Sequence, residues 1–246
     1  LDSGRCVRTV FLTTGDAAQD TVYWQGREVG SQAAYAAMAG VPDEWTASST
    51  TLLGQELRTM TLVGEPQVSL VFLRLPDGNR TGSGMAVHDH ESLMKLWLGS
   101  IPAIHGVDRS STYTAETLTQ TLTALMTEFG PTTVRTMDWT RPFRTGDNAD
   151  HTATALFAQA AARAAAATLS IDLLAYEGYP AWTRPPNVSG AALRLKAAAL
   201  TAYAPHDRMF CVSPWCPIAA VTSTRAARQY VVDEERLAPV DPAPAP

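Results

Sequence analysis

VRTVFLTTGD, residues 7–16, is the stretch on which a reading of the fold turns. Its β-branched and aromatic residues, closed at once by Gly15-Asp16, read as a strand that ends in a tight turn. Downstream, the alanine-rich residues 28–39 have helical composition, and Gly40 stops them. Residues 58–63 and 67–73 read as two strands joined by Gly64-Glu65-Pro66, a hairpin. Residues 92–98 form a short helix, and residues 114–129 a long one with Leu118, Leu122 and Leu125 at helical spacing. A short strand over 133–137 closes at Asp138. The alanine-rich helix 150–168 and the strand 169–176 follow, then helices over 189–202 and 219–231.

Strands alternating with helices predict an α/β domain whose sheet is mostly parallel and covered by helices on both faces. The hairpin is the antiparallel departure from that plan. One domain is expected over residues 1–237. The Pro/Ala-rich tail 238–246 (APVDPAPAP) reads as an extended linker, with a further domain expected beyond it. The chain opens on Leu1, so a segment ahead of it is expected as well.

A net charge of −5 leaves no electrostatic footprint for nucleic acid or an anionic membrane. No run of about 18 apolar residues is present to span a bilayer. Cys6 adjoins an apolar run and reads as a small buried hydrophobe. Cys211 and Cys216 flank a turn and fit either a small disulfide loop or free thiols. Asn79-Arg80-Thr81 and Asn187-Val188-Ser189 have the form of glycosylation acceptors.

In open α/β sheets, sites form beyond the carboxyl ends of the strands. Asp16, Asp138 and His151 fall there, and parallel neighbouring strands would bring them together; Asp16 and Asp138 are equally suited to forming turns. The densest local signal is Asp147-Asn148-Ala149-Asp150-His151, at the head of a helix. A neutral imidazole is a favoured zinc ligand, and a neighbouring carboxylate can orient it. The bland alternative is a helix capped by Asn148 or Asp150, with His151 at the surface. His88-Asp89-His90 reads as a solvated loop before it reads as a metal cluster. There is no Gly-rich phosphate loop and no Gly-x-Ser-x-Gly elbow.

Residues 7–16 resemble the second strand and following turn of the PIG-L/LmbE-type deacetylases. Tyr23-Trp24, Arg27-Glu28, Ala39-Gly40-Val41, Glu177-Gly178-Tyr179-Pro180 and Asn187-Val188 are similar, in order, to that family's secreted branch. Residues 148–151 fall where the family has His-x-Asp-His. The resemblance implies a Rossmann-like sheet, secretion, and a zinc ion that activates water against the acetyl group of an N-acetylated amino sugar or its glycoconjugate. It implies His151 as a metal ligand, with Asp150 and Asn148 in the catalytic set. Asp16, Arg27 and Asp138 are then expected to line the sugar crevice. The family's amino-terminal His-x-Asp-Asp has no counterpart here, and Asn148 stands where the family has a histidine. Catalysis is thus expected of the complete protein more than of this chain alone. The rival reading is a sugar-binding pseudoenzyme that has lost the metal; an unrelated Rossmann-like transferase is disfavoured by the missing nucleotide loop.

Overall fold

The computed structural model describes residues 4–210 and 224–239. Its first strand, β1 (Val7–Thr13), leads through a turn into α1 (Thr21–Ala39). Asp20 caps that helix by accepting the Tyr23 N–H. The helix starts seven residues before its alanine-rich half, because Tyr23 and Trp24 are buried on its first turns. Strands β2 (Trp45–Leu52), β3 (Gln55–Leu62) and β4 (Val68–Leu75) follow as an antiparallel meander. The β2–β3 turn is Leu53-Gly54, both at positive φ, as a two-residue hairpin turn requires. The first sheet has the order β1-β4-β3-β2, and only its β1–β4 pair is parallel.

After a loop come the short helix α2 (Leu93–Trp97) and a two-stranded ribbon, β5 (Ile104–His105) with β6 (Thr112–Tyr113). Helix α3 (Ala115–Phe129) starts in a Thr114/Thr117 capping box. Strand β7 (Thr133–Met137), helix α4 (Ala149–Ala165) and strand β8 (Ile171–Tyr176) form a parallel crossover. Helix α5 (Gly190–Tyr203) packs on α1, where the bare glycines Gly26 and Gly30 admit the backbone and ring of His206 and Tyr203. Strand β9 (Val231–Leu237) closes the second sheet, antiparallel to β8, in the order β7-β8-β9.

The expected mostly parallel, Rossmann-like sheet is therefore corrected: the described residues form small mixed sheets of two to four strands. The reason lies in the connections. Two- and five-residue links can join only antiparallel neighbours, whereas a parallel pair needs a long crossover. Two strands, β2 (WTASSTTL) and β9 (VVDEERL), are too polar to announce themselves by hydropathy: β2 is exposed on both faces along its middle, and no residue of β9 is fully buried. The helix expected over 219–231 gives way to β9 at its carboxyl end, and the stretch 211–223, with Cys211 and Cys216, lies outside the described residues. Cys6, expected buried, is exposed.

One core joins the first sheet to α2, α3 and α4 through Leu57, Leu75, Leu96, Leu118, Leu122 and Phe157. Helix α4 is packed on several sides, and its buried positions include Ala153, Ala155, Ala161 and Ala162, which let neighbours approach closely. Across α1 and β4, Arg74 grips Glu28 with two hydrogen bonds of 2.8 Å and lies over the Trp24 ring. No described helix is long and apolar enough to cross a membrane.

Candidate functional site

Strands β1 and β4 are parallel neighbours, so the turns that follow them lie side by side, and each turn supplies a carboxylate. Asp16 is almost fully buried. Its Oδ1 accepts the Asp77 N–H at 2.9 Å, and its Oδ2 accepts the Ala18 N–H at 3.0 Å and meets His88 Nε2 at 2.9 Å. Asp77 reciprocates by accepting the Ala17 N–H at 3.3 Å. The two turns are thus laced together by their own acids.

Helix α4 brings the third carboxylate. Asn148 caps the helix by accepting the Asp150 N–H at 2.9 Å, which fixes the first turn. Asp150 then reaches across to accept the Gly78 N–H at 2.9 Å. A Cβ on Gly78 would lie 2.6 Å from Asp150 Oδ1, so only glycine allows this approach. Burial raises the Asp150 carboxyl well above the ordinary range, and the facing Asp77 and Asp16 push the same way. Its Oδ1 has no donor of its own. Burial and the two facing acids together favour the neutral, protonated form of Asp150.

A stability signature follows from that proton. Above the ordinary aspartate pKa, the folded chain holds a proton that the unfolded chain releases, so this group makes stability fall as pH rises. Asp150→Asn mimics the neutral acid. It should be at least as stable as the parent at neutral pH, with a gap that widens upward from about pH 4 by at most about 1.4 kcal/mol per unit. Urea denaturation across a pH series reads it directly. A gap independent of pH would mean that Asp150 is ionised in the fold.

His151, one residue on, faces a different partner. Its Nδ1 lies 2.7 Å from Asp147 Oδ1, and because a carboxylate can only accept, Nδ1 carries the hydrogen. Asp147 also accepts the N–H groups of Asn148 and Tyr179, at 2.8 and 3.2 Å. Burial alone would raise this carboxyl, but the imidazole and the two N–H donors outweigh it and hold the group below its usual value. Nε2 is left without a hydrogen-bond partner among the described residues, on a side chain 28% exposed. The ring meets Tyr179 edge-on at 4.8 Å, and Tyr179 leans on the half-exposed Trp182 at 4.9 Å.

Of the three groups expected to converge, Asp16 faces Asp150, a partner not expected for it, and His151 turns to Asp147 instead. Asp138 does not join them. Its Oδ1 accepts the N–H and hydroxyl of Thr140, and Arg141 stands at 3.6 Å, so its local contacts are those of a turn. Arg141 in turn reaches Glu177, adjoining the Gly178 that backs Asp147. Arg27 donates to the Gly15 carbonyl at 2.5 Å and to Tyr203 at 2.9 Å, tying the β1 turn to α5. The carboxylate that orients His151 is Asp147, not Asp150.

Asp77, His88 and Tyr179 were not foreseen in these places. A strand-ending Pro76-Asp77-Gly78 was the available signal for the first, but only the β1–β4 pairing sets it against Asp16. Asn79, the first expected acceptor, spends its side chain on Ser83 and Thr81.

The pinned imidazole, with one ring nitrogen spoken for by a carboxylate, is the usual posture of a histidine ligand. A catalytic zinc ordinarily takes three protein ligands, however, and no group of three His, Cys, Asp or Glu side chains among the described residues is arranged to hold a metal. These residues offer zinc one position and not a complete site. No protein-family model matches the chain, and neither a curated protein nor a solved structure matches it significantly.

Proposed function

We propose that this chain is the body of a hydrolase that removes acetyl from an N-acetylated amino sugar or its glycoconjugate, acting outside the cell. The observation that carries the reading is His151, fixed by Asp147 at the head of α4 and bordered by Tyr179 and Trp182. Exposed aromatic rings offer a sugar an apolar platform with polar edges. With Nδ1–H held by Asp147, Nε2 presents its lone pair to water or to a zinc ion. As a base it takes a proton from the attacking water, and the Asp147 carboxylate stabilises the imidazolium that forms. The same proton then passes to the leaving amine. Asn148, whose side-chain oxygen is used in the cap, keeps its amide N–H groups for the developing oxyanion. Asp150 acts through the backbone, as a positioning residue that locks the α4 head onto the Gly78 turn.

A second reading is a sugar-binding module without catalysis. It is favoured by Asn148, which cannot deliver a proton, and by the single zinc position.

Acetate release from N-acetylglucosamine and its methyl glycoside, in zinc-supplemented buffer, separates the two. Hydrolysis should fall by about a hundredfold or more in His151→Ala, with the circular dichroism spectrum unchanged. Sugar-dependent quenching of tryptophan fluorescence without any acetate release would support the binding module. Neither signal would sink both readings.

A further inference from the structure

Between the two larger sheets runs a cleft of about 430 Å³ whose walls are two strand edges. Val7, Arg8, Thr9, Val10 and Leu12 of β1 line one side, and residues 133–136 of β7 line the other. Among the described residues β1 pairs only with β4, and β7 only with β8. The register tells which peptide groups are bare. Val7 N–H donates to the Gln67 carbonyl at 2.8 Å, so alternation turns the Arg8 and Val10 peptide groups away from β4 and into the cleft. Asp172 N–H donates to the Thr132 carbonyl at 3.0 Å, which turns those of Thr133 and Arg135 into it from the other side.

Both edges run the same way. Arg8, near the start of β1, pairs with Glu128 at 3.1 Å and lies over Phe129, just ahead of β7. Asp16, just past β1, faces Asp150 at the head of the helix that follows β7.

Natural edge strands are blunted by charge, proline or coverage. Strand β1 instead has the composition of an interior strand. Phe11 stacks on Phe72 on one face, while Val10 and Leu12 join Leu122 and Leu125 on the other. Helices also close the cleft on its two remaining sides: Leu125, Met126, Thr154 and Ala158 from α3 and α4, and Tyr35 from α1. A small apolar molecule would cover this lining but leave two rows of peptide groups unpaired. An extended peptide satisfies both.

We propose that this cleft is a β-strand receptor, which takes an extended apolar segment from a polypeptide outside this sequence, parallel to β1 and β7 and hydrogen-bonded to both. The segment's inner residues are small or β-branched and apolar on both faces. Its carboxyl end emerges beside Asp16 and the head of α4, so the residues that follow it reach the acidic pocket and His151. Strand capture holds whether or not the chain hydrolyses amides.

The test uses the full chain and two capped peptides with lysine ends, one alternating valine and alanine inside, the other lysine and glutamate. Residue-resolved hydrogen exchange should show the apolar peptide slowing the amides of Arg8, Val10, Thr133 and Arg135 by about tenfold or more, and the charged one leaving them fast. Arg135→Pro removes an N–H from the cleft side of β7, at an exposed side chain, without touching the β8 ladder. It should weaken the apolar peptide about tenfold and leave the melting temperature of the free chain unchanged. Should it lower that temperature, Thr133→Pro, at the start of the strand, replaces it as the readout. No protection, or equal protection by both peptides, overturns the proposal. So does protection in the chain alone accompanied by a dimer in light scattering, which assigns the cleft to a second copy.

Discussion

Phe157→Ala is expected to lower the unfolding free energy by about 3–5 kcal/mol, the largest loss from any single side chain of this core. Phe157 is fully buried on α4 and meets Trp97 edge-on at 5.0 Å. It stands where α2, α3 and the first sheet converge. Its helical neighbours on the core side, Ala153 and Ala161, are too short to fill the space it would vacate. Collapse around the cavity would be partial, which places the cost at the upper end of the range. Urea denaturation measures it as a drop in midpoint with an unchanged slope. A loss below about 1 kcal/mol would mean that α4 shifts as a body to close the gap.

Gly178→Ala should be the most damaging conservative change near the site. A Cβ at this position would lie 2.0 Å from Asp147 Oδ2 and 2.7 Å from its Cγ, far inside contact distance. Asp147 cannot swing away freely, because it is buried and holds His151, Asn148 and Tyr179 at once. The expected cost is about 1–3 kcal/mol of stability from overpacking. Displacing Asp147 also frees the His151 ring, so hydrolysis or sugar binding should fall by about tenfold or more, since catalytic geometry tolerates little misplacement. The nitrogen-15 spectrum of the His151 ring should lose the tautomer with hydrogen on Nδ1. An unaltered ring spectrum in the variant would show that Asp147 does not set the tautomer.

Much of the local structure was legible beforehand. The short helix over 92–98, the leucine spacing of α3 and the alanine-rich α4 all follow from composition and helical periodicity, which act within a few residues. The Gly64-Glu65-Pro66 hairpin is equally local, and it stands between β3 and β4. The same locality explains the failures. Strand β2 is built mostly from Thr, Ser and Ala and is exposed on both faces, and its pairing with β3 gives it form that its hydropathy does not advertise. Reading each strand as the start of another parallel unit then overstated the parallel content, because direction belongs to the pairing partner and not to the strand.

The candidate site divides along the same line. Asp147 through His151 is a helix head, and its cap by Asn148 is written in five consecutive residues. That Asp16 meets Asp77 and Asp150 depends on the β1–β4 pairing and on α4 crossing to the end of that sheet. The sequence by itself determined where turns, caps and most helices fall, since these are settled by forces between near neighbours. Only the tertiary structure decided which acid is pushed toward its neutral form, which carboxylate holds His151, and that two strand edges, unpaired among the described residues, face one cleft. Burial, charge proximity and strand order arise between residues far apart along the chain, and no local pattern encodes them.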